Sequence, residues 1–377
     1  MSNNVTKVRV KGVVYTLNGT ADSISYDNSQ SLLSGDNIQD AIDEVTEELS
    51  TKATINNSFV YSDLDIADEG GHIIARFENG HFKTKEFDSE NISNRVIRIL
   101  IYGNSWAGGA VSYAGAILDE ILNSDAKVHI GFCYQGNSSL QNHYDNAISN
   151  SNYNWFYWNS DNNDWIKGIS ISFNDALYYE DWDIVLLQQL SGSAGTANTY
   201  EHLNDLIDII SSRASKPVKF GWILARDKFD SSKNYSIVPI WENAMNIAQS
   251  LLNKTLIDFV IPTGTATENA RTTTLNNLGT VGLTQDGTHL QDGVPCLVEA
   301  YCFALSVLNV YGFGSKSING SKFIPGETIQ PHGSVVGVTD NNNIKLAQKC
   351  AIFAFKKPFE ITQVENLSII ESTNTGN

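Results

Sequence analysis

An almost unbroken apolar run at residues 96–102 (VIRILIY) constrains the fold more than any other part of the sequence. A strand that lacks alternating polar residues is typical of a parallel sheet covered on both faces. The chain then alternates between predicted strands at 127–133, 183–187, 218–224 and 258–261 and predicted helices at 110–122, 200–211, 239–252 and 293–310. This alternation predicts a three-layer α/β/α fold, in which helices flank a parallel sheet.

The net charge of the chain argues against two classes of binding partner, nucleic acids and membranes. Lysine and arginine number 25 against 42 aspartates and glutamates, which gives a net charge of −17. Duplex nucleic acid and anionic membranes are bound through basic faces, so neither is expected as a partner.

The four cysteines form no C-x-x-C pair, so neither a structural zinc site nor a disulfide framework is expected. The polar segment 1–9 does not resemble a secretory signal, and no window suits a membrane span.

Residues 1–94 differ from the rest and form a predicted attachment or oligomerisation region. A strand is predicted at 8–17. A helix is predicted at 37–50, where apolar residues spaced 4, 3 and 4 apart form a short heptad seam. Short strands are predicted between 59 and 87, with a hairpin at Asn79-Gly80. The region is therefore expected to be β-rich, with one short coiled-coil helix.

Residues 95–360 form the main predicted domain, and residues 361–377 form a C-terminal tail. Residues 150–182 interrupt the alternation with a polar turn at 159–164 and an aromatic cluster, namely Trp155, Phe156, Tyr157, Trp158 and Trp165. We therefore predict an aromatic β-hairpin inserted after the second strand of the domain. The Gly- and Asn-rich stretch 318–377 is predicted to contain short strands.

Two short motifs carry the residues needed for nucleophilic catalysis. Ser105, in the sequence YGNSW, follows the first buried strand, where ligands of such sheets bind and where backbone N–H groups can stabilise an oxyanion. Asp286 and His289 lie three residues apart in one predicted turn. A serine nucleophile needs an imidazole to accept its proton and a carboxylate to orient that imidazole. The alternative interpretation of Asp286 and His289 is a solvated turn before the next helix.

In this order, the two motifs resemble the SGNH/GDSL hydrolase superfamily. RILIYGNSW resembles its first block, with Ser105 as nucleophile, and DGTHL resembles its last, with Asp286 and His289 completing a triad. QGNSSL at 135–140 resembles the block that offers a backbone N–H to the oxyanion, here that of Gly136 or Asn137. The resemblance covers roughly residues 95–360 and implies the flavodoxin-like sheet of SGNH hydrolases.

One block departs from the usual pattern of the superfamily. Where G-x-N-D is expected, after the strand at 183–187, the sequence reads Gln188-Gln189-Leu190-Ser191. This resembles a branch of the superfamily with L-Q-x-x-S at that point, and it implies that a glutamine amide replaces the asparagine as oxyanion donor. Gln188 is preferred over Gln189 because it follows the strand directly, although the register stays open.

Several further residues are candidates for substrate binding. The same branch carries a segment similar to 262–271, in which Arg271 either positions a substrate or fixes the loop. His143 follows the glycine block and is a candidate for lining the site. Aromatic rings stack on the C–H faces of sugars, so Trp106, Trp155 and Trp158 are candidates for binding carbohydrate. The alternative for the hairpin rings is that they pack the hairpin onto the domain.

The resemblance implies a serine esterase that needs no metal or organic cofactor. Lipases, thioesterases and carbohydrate O-deacetylases all occur in the superfamily. No amphipathic lid stands out, and the aromatic hairpin favours sugars, so we expect a carbohydrate O-deacetylase acting on an acetylated polysaccharide or another ester. A non-catalytic glycan- or receptor-binding protein on the same scaffold and an intracellular esterase of small molecules are the alternatives.

The segment 33–45 (LSGDNIQDAIDEV) resembles an L-x-x-x-N-V-Q-x-A-I-D-E-L-like element of bacteriophage tail fibres and related appendage proteins. This resemblance implies a virion-associated or prophage-encoded enzyme that acts on bacterial surface polysaccharide. The alternative location is the cytoplasm. It also implies a homo-oligomer, a trimer, that assembles through residues 1–94.

Overall fold

A computed structural model of the chain describes residues 7–10, 13–16, 65–67, 73–78, 81–84, 95–123, 125–162, 164–234, 236–313 and 341–365. The chain divides into two compact units, Met1–Ile92 and Ser93–Asn377. Within the described ranges, no helix is long and apolar enough to cross a bilayer. The predicted heptad helix at 37–50 and the end of the tail, 371–377, lie outside the described residues.

The first unit contains an antiparallel sheet of five strands in the order β2-β1-β3-β4-β5. The strands are β1 Lys7–Val10, β2 Val13–Thr16, β3 Asp65–Ala67, β4 Ile73–Glu78 and β5 His81–Thr84. The single strand predicted at 8–17 is therefore two paired strands, with Val10 opposite Val13. Strands β4 and β5 pair antiparallel, with Glu78 opposite His81. The predicted turn at Asn79-Gly80 lies outside the described residues.

The second unit is built on a sheet of seven strands in the order β14-β11-β10-β6-β7-β8-β9. The strands are β6 Val96–Gly103, β7 Lys127–Tyr134, β8 Asn152–Asn159, β9 Asp164–Ser172, β10 Ile184–Leu187, β11 Lys219–Ile223 and β14 Phe259–Ile261. All pairs from β14 to β7 are parallel, which confirms the predicted fold. A separate two-stranded hairpin lies between β11 and β14 in the chain, formed by β12 Lys228–Asp230 and β13 Ser236–Val238.

Helices cover both faces of the sheet because β6 alternates its apolar side chains between them. Ile97, Ile99 and Ile101 face one core cluster, and Leu100 and Tyr102 face the other. The helices are α1 Ser105–Leu122, α2 Leu140–Ser149, α3 Phe173–Tyr178, α4 Leu203–Arg213, α5 Trp241–Asn253, α6 Thr263–Arg271, α7 Val294–Val310 and α8 Asn341–Lys356. Helices α1, α6, α7 and α8 pack on the first face, and α2, α3, α4 and α5 pack on the second.

The aromatic hairpin extends the central sheet. Strand β8 pairs antiparallel with β7, with Phe132 opposite Phe156, and β9 forms the edge. Trp158 packs directly on Gly115 of α1, where an added Cβ would lie 2.4 Å from the ring. Its indole Nε1 donates to Asp119 Oδ2 at 2.8 Å. The hairpin is therefore part of the core architecture.

The C-terminal stretch contains a helix where short strands were predicted. Helix α8 packs against α6 and α7 and buries Ala347, Cys350, Ala351 and Ala354. This spacing of three and four residues is helical. The Asn-rich start of the helix and the Gly-rich segment before it concealed the pattern, because both compositions favour turns.

Candidate active site

The nucleophile turn is formed where β6 ends and α1 begins. Asn104 is the N-cap of α1, and its Oδ1 accepts a hydrogen bond from the N–H of Trp106 at 3.0 Å. The helix therefore begins at Ser105, five residues earlier than its predicted start at 110. Ser105 is half-buried at the positive end of an 18-residue helix, where developing negative charge is stabilised.

The structure brings Ser105, His289 and Asp286 together. His289 Nε2 lies 2.9 Å from Ser105 Oγ, and His289 Nδ1 lies 2.6 Å from Asp286 Oδ2. Asp286 Oδ1 also accepts the backbone N–H of Thr288 at 2.8 Å and that of His289 at 2.7 Å. The turn is closed by Gly287, whose φ of 89° is disfavoured for other residues. The carboxylate thus orients the imidazole, and the imidazole reaches the serine.

Asp286 remains ionised although it is partly desolvated. Burial alone would raise the pKa of its carboxyl group. The hydrogen bonds from the N–H groups of His289 and Thr288 and from the His289 ring outweigh this effect and lower the pKa below its ordinary value. At neutral pH the carboxylate can therefore accept the Nδ1–H of His289 and stabilise an imidazolium.

Gln188 and Gln189 occupy different environments. Gln188 Oε1 accepts the backbone N–H groups of Asn104 at 3.4 Å and Ala107 at 3.2 Å, directly beneath the nucleophile turn. The side chain is buried, and within the described ranges no hydrogen-bond acceptor contacts its Nε2, so the N–H groups of the amide are unpaired. Gln189 uses both ends, because Oε1 accepts the N–H of Leu140 and Nε2 donates to the Thr199 carbonyl. The geometry thus favours Gln188 as the residue beside Ser105.

The glycine block forms an exposed turn next to Ser105. The N–H of Gln135 donates to the Gly103 carbonyl at 3.1 Å, and Asn104 Nδ2 donates to the Ser138 carbonyl at 3.0 Å. Both contacts join this turn to the end of β6. Gly136 and Asn137 are exposed, and Asn137 has a left-handed φ of 58°. Both N–H groups remain candidate oxyanion donors.

Comparison with known proteins identifies the family. Residues 98–315, more than half of the chain, match the model of DUF4886, a domain of unknown function. The chain belongs to the DUF4886 family. A DUF4886 family protein from Bacteroides uniformis has a solved structure that is 23% identical, with a TM-score of 0.60 over 72% of this chain and 100% of that one. This likeness shows the fold.

A second solved structure, described as a "putative SGNH hydrolase", comes from Slackia heliotrinireducens. It is 15% identical to this DUF4886 chain and has a TM-score of 0.35 over 56% of this chain and 98% of its own. No curated protein sequence gives a significant match.

In this DUF4886 chain the predicted carbohydrate-stacking tryptophans are not available to a ligand. Trp106, Trp155 and Trp158 are each at most 2% exposed. Trp155 packs over Gly131 and against Trp182, and Trp158 packs on α1. These positions correct the prediction, because a ring stacks on sugar only if one face is open. The alternative interpretation, hairpin packing, describes Trp155 and Trp158.

His143 does not line an open site either. It is fully buried, with Nε2 3.1 Å from Ser138 Oγ and Nδ1 3.1 Å from the Tyr153 hydroxyl. Burial lowers the pKa of His143 to about 3, so the ring is neutral at neutral pH. Its connection to the candidate site runs through Ser138 in the glycine block.

Arg271 fixes a loop, which was one of its two predicted roles. Its Nε lies 3.1 Å from Glu268 Oε2, and its Nη2 donates to the Asp227 carbonyl at 3.0 Å. The guanidinium carbon lies 4.8 Å from the centre of the Phe229 ring. These contacts engage Nε, Nη2 and the face of the guanidinium within the protein, and the structure does not place Arg271 as a substrate ligand.

Asn104 is a site residue that the sequence analysis missed. It is buried and contacts three segments, because its side chain caps α1 and donates to Ser138 and its N–H donates to Gln188. The available signal was its position, since an asparagine between a strand and a helix is a strong N-cap. Asn104 therefore connects the nucleophile turn to both candidate oxyanion segments.

Proposed function

We propose that this DUF4886 chain is a serine hydrolase of the SGNH type that cleaves carboxylic esters. The observation that carries the proposal is the contact series from Ser105 Oγ to His289 at 2.9 Å and from His289 to Asp286 at 2.6 Å. A nucleophile, a base and an orienting carboxylate within hydrogen-bond reach suit acyl transfer. Their position beyond the carboxyl end of β6 supports it, because parallel sheets bind ligands there.

The proposed reaction has two steps. Ser105 Oγ attacks the ester carbonyl carbon while His289 Nε2 accepts the hydroxyl proton. The carbon–oxygen bond to the alcohol then breaks, His289 returns the proton to the leaving oxygen, and the acyl group remains on Ser105. In the second step His289 deprotonates a water molecule that attacks the acyl carbon, and the acid leaves as Ser105 regains its proton.

The proposed oxyanion donors are the N–H of Ser105, the N–H of Gly136 or Asn137, and Gln188 Nε2. Gln188 is the best supported side chain, because two backbone N–H groups hold its Oε1 beneath the nucleophile turn. A donor fixed before the reaction stabilises the charge without reorganisation.

The finer proposal is that the enzyme removes O-acetyl groups from a bacterial surface polysaccharide. An open, polar rim supports it, since Gly136 and Asn137 are exposed and the Asp286 side chain is 49% exposed. A net charge of −17 favours a neutral glycan over a polyanion. The resemblance of 33–45 to tail-fibre proteins supports delivery by a phage or prophage particle, as a trimer formed through residues 1–94.

Acetate release tests both the proposed ester hydrolysis and the proposed polysaccharide substrate. Wild type, Ser105→Ala and the matched control Ser138→Ala are assayed on a small acetyl ester and on an O-acetylated bacterial polysaccharide. We expect wild type and Ser138→Ala to release acetate from both substrates, and Ser105→Ala to release none. Activity on the small ester alone would contradict the polysaccharide proposal and favour a small-molecule esterase. No release by folded wild type would contradict the hydrolase proposal and favour a glycan-binding protein.

A further inference from the structure

Arg226 contacts the neighbours of both Ser105 and His289. It follows β11 in the loop that precedes β12. Its Nη2 donates to the carbonyl of Thr288 at 3.2 Å, one residue before His289. Its guanidinium carbon lies 4.5 Å from the centre of the Trp106 ring, one residue after Ser105. One side chain therefore joins the two segments that must meet for proton transfer.

Glu299 of helix α7 holds Arg226 in this position. Arg226 Nη1 donates to Glu299 Oε1 at 2.7 Å, and the two side chains are only 4% and 2% exposed. Thr267 Oγ1 donates to the same carboxylate oxygen at 2.8 Å. The Glu299 carboxylate that holds the guanidinium is thus fixed by helices α6 and α7, which pack on the same face of the sheet.

A buried ion pair is poorly explained by stability alone. Removing two charges from water costs much of what their attraction returns, and an apolar pair of similar volume is often as stable. A positional role for this charged pair would explain why it is present where an apolar pair could pack. Arginine suits that role because its planar fork donates in two directions while its face stacks on an aromatic ring.

We propose that Arg226 is a positioning residue that sets the approach of Ser105 to His289. It acts through Thr288 and Trp106 and touches neither the substrate nor the reacting atoms. This inference rests on the proposed hydrolase function. A lysine at position 226 keeps the charge beside Glu299, but its single ammonium group cannot also donate to Thr288 and cover Trp106 in the same geometry.

The test compares Arg226→Lys with Arg98→Lys. Arg98 also pairs with a glutamate, with Nε 2.8 Å from Glu180 Oε2, but it lies near the opposite end of β6. We expect Arg226→Lys to lower kcat by about 10- to 100-fold with KM within about twofold, because small displacements of reacting groups cost that much. Labelling of Ser105 by a fluorophosphonate should slow by the same factor. Arg98→Lys should keep both rates within about twofold of wild type.

A second variant separates positioning from stability. Arg226→Met with Glu299→Leu removes both buried charges, so it should fold while losing the contacts to Thr288 and Trp106. We expect it to be at least as slow as Arg226→Lys. Wild-type kcat and labelling rates in both folded variants would overturn the inference. Losses of kcat and labelling rate that disappear after correction for the folded fraction would also overturn the inference.

An activity-independent measurement keeps the inference distinct from the proposed function. The NMR resonance of the His289 Nδ1 proton reports the contact with Asp286 whether or not an ester is cleaved. We expect it to move in Arg226→Lys and to stay in place in Arg98→Lys. If wild type neither hydrolyses esters nor reacts with the fluorophosphonate, the proposed function fails, and a shift confined to Arg226→Lys still supports positioning. An unmoved resonance would overturn the inference.

Discussion

Ser105 Oγ lies 2.9 Å from His289 Nε2, and Ser138 Oγ lies 3.1 Å from His143 Nε2, so the chain contains two serine–histidine pairs of similar geometry. The surroundings differ. The first pair is partly exposed, and its imidazole contacts a carboxylate, Asp286. The second is buried, and its imidazole contacts the Tyr153 hydroxyl. A serine–histidine hydrogen bond is therefore common to both pairs, whereas solvent access and a carboxylate belong to one.

The comparison shows what turns such a contact into a candidate catalytic site. In the proposed reaction the imidazole gains a proton, and the Asp286 carboxylate would stabilise the resulting cation. Buried His143 has its pKa lowered to about 3 by desolvation, so its protonated form is strongly disfavoured. Ser138 also has no open face for a substrate, since it is 1% exposed. The buried pair instead fixes the glycine block beside the nucleophile turn.

The largest expected difference lies between the two serines. Ser105→Ala should lower turnover of a small acetyl ester by at least about 10⁴-fold, because it removes the nucleophile. Ser138→Ala should cost less than about tenfold, since it keeps the backbone carbonyl that accepts from Asn104 Nδ2. Initial rates measure both effects, and mass spectrometry after fluorophosphonate treatment locates the label. A label on Ser138 would reverse the assignment of the two pairs.

The residues that contact the two histidines, Asp286 and Tyr153, give the next largest expected difference in kcat. Asp286→Asn should lower kcat by about 10³- to 10⁴-fold, because an amide neither orients the imidazole correctly nor stabilises its cation. Tyr153→Phe should change kcat by less than about threefold, since the buried histidine takes up no proton. Steady-state kinetics of both variants at pH 7 measure the two effects. Equal losses in the two variants would mean that both pairs take part in the reaction.

The two neighbouring glutamines sharpen the comparison at the oxyanion site. Gln188→Ala should lower kcat by about 10²- to 10³-fold if its Nε2 donates to the oxyanion. Gln189→Ala should mainly lower the free energy of unfolding, because the Gln189 amide bonds Leu140 through Oε1 and Thr199 through Nε2. Kinetics and thermal unfolding are measured on both variants. A near-neutral kcat in folded Gln188→Ala would leave backbone N–H groups as the sole donors.

The fold and the partly exposed serine pair could be predicted from sequence because their signals are local. The apolar run before Ser105 identifies a buried parallel strand, and such strands place their following loops at one sheet edge. Asp286 and His289 share a turn, so their contact needs no long-range information. The SGNH resemblance related these motifs to each other through their order along the chain, and it identified Gln188 as a candidate oxyanion donor.

The remaining features depend on contacts between distant parts of the chain. Trp155 and Trp158 look available in sequence, but β8 joins the central sheet and buries both rings. Helix α8 was hidden by its Asn-rich start. Arg226 meets Thr288 and Trp106 across 62 and 120 residues, 288 − 226 and 226 − 106, and no local pattern encodes such contacts.

The smallest expected difference concerns acid stability, and it arises from the buried pair. Folding lowers the pKa of His143 from an ordinary 6.5 to about 3. The unfolded chain therefore binds the proton more readily, so the stability contributed by the neutral ring is present above about pH 6.5 and is lost as the pH falls towards 3. Between pH 7 and pH 5 this amounts to about 2 kcal/mol of unfolding free energy.

Urea unfolding of wild type, His143→Gln and Ser138→Ala at the two pH values isolates this contribution. Wild type should lose about 2 kcal/mol more than His143→Gln on going from pH 7 to pH 5, because glutamine does not titrate. Ser138→Ala keeps the buried ring and should lose as much as wild type. An equal loss in wild type and His143→Gln would show that His143 titrates alike in the folded and unfolded chains. Desolvation of the His143 ring would then not explain why the buried pair is a poor candidate for catalysis.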